Sequence, residues 1–130
     1  RRAAPFRLHA RLSQLSRNVP RQFLELLTEL ATTHASLKDA LRARLPNFSE
    51  RDLNLFQAFA TEDSPNSSGQ PITEAELGRL YGGKKGGISD RQVRNILGKI
   101  RDNPKTRELY AFANHNRNSS AKFVRPLAQR

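Results

Sequence analysis

The 130-residue chain contains no cysteine, no methionine and no tryptophan. Without cysteine, disulfides and thiolate metal sites are excluded, and a reducing compartment is compatible with the chain without being demanded. No apolar run approaches the roughly 18 residues of a membrane span, and the first residues lack the apolar stretch of a signal peptide. The expectation is a soluble cytoplasmic protein without a membrane partner. The histidines His9, His34 and His115 are far apart with no metal spacing, and no motif ties a serine or carboxylate to one of them. Each therefore reads as a surface or packing residue, and no enzyme activity, metal or cofactor is expected. Asn47-Phe48-Ser49, Asn66-Ser67-Ser68 and Asn118-Ser119-Ser120 match the glycosylation acceptor pattern, but without a secretion signal they read as chance or capping matches. The chain opens at Arg1, as expected of a fragment of a longer protein.

Acidic residues are scarce: 12 against 23 Lys and Arg, for a formal charge of +11. The excess is segregated. Residues 1–46 carry nine basic and three acidic residues (+6), residues 47–83 two and six (−4), and residues 84–130 twelve and three (+9). Such a patch attracts polyanions by releasing their condensed counterions, so nucleic acid is the leading partner, ahead of an acidic membrane surface or an acidic protein.

The positive segment begins inside a pair of helices whose starts are legible as hydrogen-bonding patterns. Thr73 with Glu76, and Ser89 with Gln92, fit the capping box, in which a side-chain oxygen accepts from an orphan helix N–H and the residue three further on returns a bond to the cap. Gly82 and Gly83 are expected to stop the first helix, because glycine takes the left-handed conformation without steric cost. Ala75, Leu77, Leu80 and Tyr81 supply an apolar stripe to the first helix, and Val93, Ile96, Leu97 and Ile100 to the second. The faces left over differ: Glu74, Glu76 and Arg79 in the first, Arg91, Arg94, Asn95, Lys99 and Arg101 in the second. Only the second suits a phosphate-lined groove.

Elsewhere, residues 1–19 place Arg1, Arg2, Arg7, Arg11 and Arg17 among Phe6, Leu8, Leu12 and Leu15, the pattern of a basic N-terminal arm. Pro20 fits the first turn of a helix from Arg21 to about Thr32, whose face of Phe23, Leu24, Leu26, Leu27 and Leu30 needs a partner, either within the chain or in a homodimer. Ser36 with Asp39 opens a short helix ending before Pro46, and Ser49 with Asp52 opens another through Phe56 and Phe59. Residues 61–71 read as a surface loop or linker. After Asp102-Asn103-Pro104, the aromatic and β-branched residues of Glu108–Phe112 and Ala121–Val124 favour a β-hairpin with a long tip over a helix from Lys105 to about Ala113.

Residues 48–60, 72–82 and 89–101, taken in the order helix, loop, helix, joint, basic helix, resemble the effector domains of bacterial response regulators and similar winged helix-turn-helix regulators. The likeness covers about 55 residues well and about 80 loosely. It implies a mainly α fold with a small β-hairpin: a winged helix-turn-helix over residues 47–130, preceded by N-terminal helices at 20–46 for packing or dimerisation. It further implies double-stranded DNA as the partner, with the second helix in the major groove, where arginine pairs with guanine and asparagine with adenine. On that reading the DNA-binding residues are Arg91, Gln92, Arg94 and Asn95, with Lys99 and Arg101 nearer the backbone. Gln92 serves either the cap or a base. Lys84, Lys85 and the amides of the glycine joint either hold a phosphate or form a solvated hinge. Arg117, at the hairpin tip, either enters a minor groove or is a bare surface arginine. The role that follows is a regulator of transcription, or a replication or partition factor, in a bacterial or mobile-element setting. Two other readings stand beside it: a protein-interaction module for an acidic partner, and RNA binding, for which exposed stacking aromatics are expected.

Overall fold

A computed structural model describes residues 7–8, 20–33, 36–67, 69–119, 122 and 124–125. A 3₁₀ turn at Arg21–Phe23 leads into six helices: α1 (Leu24–Thr33), α2 (Leu37–Arg44), α3 (Glu50–Thr61), α4 (Glu74–Tyr81), α5 (Asp90–Asp102) and α6 (Arg107–Asn118). Two short strands, β1 (Arg7–Leu8) and β2 (Val124–Arg125), form an antiparallel ladder in which Arg7 is opposite Arg125 and Leu8 opposite Val124. The basic arm expected at 1–19 lies outside the described residues apart from β1.

Side-chain caps set four of the helix starts. Ser36 accepts from the Asp39 amide at 3.0 Å and Ser49 from the Asp52 amide at 3.1 Å. Thr73 and Ser89 form full reciprocal boxes with Glu76 and Gln92. Each such cap satisfies a helix N–H that would otherwise need water, typically contributing about 1 kcal/mol.

The helices close on a single core. Phe23, Leu26, Leu27 and Leu30 of the N-terminal segment lie in the same buried cluster as Leu53 and Phe56 of α3, Val93 and Ile100 of α5, and Leu109 and Phe112 of α6. The apolar face of 23–30 is thus consumed by internal packing. Phe23 meets Phe112 edge-on with ring centroids 5.5 Å apart, and His115 tilts against the same Phe23 ring at 5.5 Å. Burying a large aliphatic or aromatic side chain contributes about 1.5–3 kcal/mol each, so these contacts drive assembly of the helices.

The segment at 62–71 is not a linker. It folds back on itself, with the Ile72 amide donating to the Glu62 carbonyl at 3.1 Å and the Ser64 amide to the Gln70 carbonyl at 2.7 Å. Its anchor is Glu76, which accepts from Ser64 Oγ at 2.8 Å, Asn66 Nδ2 at 3.1 Å and the Thr73 amide at 2.9 Å. These donors hold the Glu76 carboxyl below its ordinary pKa, the Thr73 backbone N–H contributing most. One carboxylate thereby joins a helix cap to a loop.

The expected winged fold is overturned after Pro104. Residues 107–118 form α6, and the hairpin of Glu108–Phe112 with Ala121–Val124 does not exist. The reason is periodicity: Leu109, Phe112, Ala113 and Asn116 recur at helical spacing, and all four are buried. Aromatic content had suggested strand, but burial against α3 rewards the 3.6-residue repeat. Of the second expected strand, Ala121 and Phe123 lie outside the described residues, and Val124 pairs with Leu8 instead. Asn116 secures that ending: its Nδ2 donates to the Ala60 and Val124 carbonyls, each at 2.9 Å, and its Oδ1 accepts from the Val124 amide at 3.0 Å. Lys122 donates to the Arg117 carbonyl at 2.9 Å, placing a cation at the negative end of α6. The molecule is a helical bundle, and no helix among its described residues is long and apolar enough to cross a membrane.

Candidate nucleic-acid interface

The orientation of α5 is set by the glycine joint that precedes it. The Gly87 amide donates to the Lys84 carbonyl at 2.7 Å, closing a turn, and the Ile88 amide donates to the Gly78 carbonyl at 2.9 Å, tying the entry of α5 to the side of α4. The backbones touch there. A Cβ on Gly78 would lie 2.1 Å from the Ile88 oxygen, and one on Gly87 would lie 2.2 Å from the Gly78 oxygen. Neither position tolerates a side chain without displacing main chain. With the Gly87 amide and the Ile88 amide that follows it already bonded, the joint offers an anion less than its glycine content suggests. Lys84 and Lys85 project from it, exposed.

Within α5, Val93, Ile96, Leu97 and Ile100 are buried. Opposite them, at helical spacing, lie Arg91, Asn95, Gly98 and Asp102, with Arg94, Lys99 and Arg101 on the flanks. All except half-buried Gly98 are exposed. Leu80 of α4, expected on an apolar stripe, is instead 54% exposed, and Ala75 is exposed as well. The buried side of α4 is made by Glu76, Leu77 and Gly78.

Of the eight expected readers and backbone contacts on α5 and its joint, Asn95 is an uncharged, exposed side chain, and the other seven fall into three groups. Gln92 is committed to the cap, its Oε1 accepting from the Ser89 amide at 3.0 Å. Arg94 and Arg101 are paired: Arg94 Nη1 lies 3.1 Å from Glu74 and 3.3 Å from Asp90, and Arg101 grips Asp102 through Nε at 2.9 Å and Nη2 at 3.0 Å. Hydrogen bonding from Glu74, then Asp90, raises the Arg94 pKa, and that from Asp102 raises Arg101. Arg91, Lys99, Lys84 and Lys85 have no ion-pair partner among the described residues. Lys99 also borders an open groove of about 630 Å³ shared with Arg44, Phe48 and Lys105.

Arg117 is not at a wing tip. It belongs to α6, with its guanidinium carbon 4.7 Å from the centroid of the Phe59 ring and Nη1 donating to the Phe59 carbonyl at 3.2 Å. Burial lowers its pKa, against the opposing influence of Glu74. It is a packing cation, half-buried beside the stacked rings of Phe59 and Tyr110, whose centroids are 5.5 Å apart. The sequence reading also passed over Glu74 and Asp90 as counter-charges on the candidate face. The spacing of Asp90 four residues before Arg94 was a usable signal for one of them. The approach of Glu74 from α4 had none. Comparison with known proteins adds no relative: no protein-family model, no curated protein and no solved structure matches the chain.

Proposed function

We propose that the chain binds double-stranded DNA through the solvent face of α5 and serves as a cytoplasmic regulator of transcription, or as a plasmid or phage replication or partition factor. The observation that carries this reading is the combination of Arg91, Asn95 and Lys99, exposed on one side of α5, with a fully buried apolar stripe on the other. Arg91 and Asn95 are one helical turn apart, so both reach one groove surface, where a guanidinium can take guanine O6 and N7 and a carboxamide can take adenine N6 and N7. Lys99, Lys84 and Lys85 supply phosphate contacts around them. The role is one of binding rather than catalysis. A duplex partner is favoured over single-stranded RNA because Phe56, Phe59 and Phe112 are buried in the core and unavailable for stacking.

The test is a binding titration of the chain against random duplex, single-stranded DNA and structured RNA at two salt concentrations. Duplex should be preferred, with affinity falling steeply as salt rises, and Arg91→Ala should lower the salt slope by about 1 if it contacts a phosphate, or relax sequence discrimination by about 1–3 kcal/mol if it reads a base. Equal binding to all three polymers, or to none, removes the proposal.

A further inference from the structure

Six of the seven glycines have a reason inside the chain. Gly69, Gly83, Gly86 and Gly87 adopt positive φ between 77° and 83°, a region L side chains avoid. Gly78 and Gly82 sit where a Cβ would lie 2.1 Å and 2.3 Å from main-chain oxygens. Gly98 has neither reason. It lies in the interior of α5 with ordinary helical geometry, and a Cβ there would meet only the Arg101 Nη2 nitrogen, at a comfortable 3.5 Å. Glycine in a helix interior is destabilising relative to alanine, so its presence on this face has no internal compensation.

Its surroundings supply an external one. Gly98 is on the stripe of Arg91, Asn95 and Asp102, and Arg94 and Arg101 stand four residues before and three after it, one on each side along the helix. The Arg101 guanidinium overhangs the bare backbone, held there by Asp102. Half-buried Gly98 carries no side chain beneath that guanidinium, so once the guanidinium swings outward a tetrahedral anion can come close to the main chain. We propose that Gly98 and Arg101 form a seat for a backbone phosphate of duplex DNA, in which Arg101 exchanges Asp102 for the phosphate and the missing side chain lets the strand approach α5. This rests on the DNA-binding reading above and adds a positioning contact to it.

Gly98→Ala and Gly98→Leu, compared with the parent chain and with Arg91→Ala, test it by thermal melting and duplex titration. Both Gly98 variants should fold, with the alanine midpoint raised by about 3 °C as helix propensity dictates. Both should nevertheless bind duplex more weakly, Leu more than Ala, with the Leu variant losing roughly tenfold because a filled seat excludes the strand. The salt slope should fall by about 1 in Gly98→Leu, and adding Arg101→Ala should lower it no further, since one phosphate contact is lost in either case. If the parent binds duplex and Arg91→Ala weakens it while Gly98→Leu binds within twofold of the parent, the seat is wrong and the DNA reading stands. If the parent does not bind duplex, both fall.

Discussion

Arg94 of α5 reaches across to α4 and bonds Glu74 at 3.1 Å while holding Asp90 of its own helix at 3.3 Å. One of the two arginines expected from sequence to read bases is thus paired with two carboxylates in the free protein. All three side chains are solvent-exposed, where ion pairs are weak and readily exchanged for a phosphate or base.

Glu74→Gln should therefore tighten duplex binding by about two- to fivefold, the scale of an exposed pair that no longer competes. Fluorescence anisotropy at low and moderate salt would read it, and the gain should shrink as salt screens the competition. Weaker binding in the variant would mean that Glu74 helps to hold Arg94 in its binding position rather than competing for it.

Arg117 makes the opposite prediction. Replacing it with leucine removes the cation over Phe59 and the bond to the Phe59 carbonyl, which should cost about 1–2 kcal/mol in a urea melt. Duplex affinity and its salt slope should stay the same. A reduced slope without a stability loss would return Arg117 to the nucleic-acid interface.

Acid sensitivity should be traceable to Glu76. Its pKa is lowered in the folded chain by the Thr73 amide first, then by Ser64 and Asn66. The unfolded chain, with an ordinary glutamate near about 4.3, binds that proton at higher pH than the folded one, so the stabilisation is present above about pH 5 and is lost as pH falls through the folded value. In Glu76→Gln the urea midpoint should be lower at neutral pH and should decline less between about pH 5 and pH 3. Glu62, whose carboxyl is raised by burial and then by Asp63, works in the opposite sense and is common to both chains. Equal acid slopes for the two chains would show that the loop at 62–71 is held by something other than this carboxylate.

What the amino-acid sequence determined by itself was local. The cap residues Ser36, Ser49, Thr73 and Ser89 satisfy helix N–H groups within three residues of themselves, so their partners are written in the adjoining sequence. The apolar stripe of Val93, Ile96, Leu97 and Ile100 is likewise a matter of spacing, and it fixed which side of α5 faces solvent. Residues 107–118 show the limit of that information: their aromatic content argued for strand and their buried spacing for helix, and packing against α3 decided between them. Only tertiary structure could bring Glu74 to Arg94, Phe59 to Arg117 or Asn116 to Ala60, because those partners are separated by 20, 58 and 56 residues. On the candidate face only the Glu74 counter-charge comes from such a pair, since Asp90 and Asp102 lie within four residues of the arginines they meet. A charge count along the chain located the cations of α5, and the fold decided which of them are left without a counter-charge to meet a polyanion.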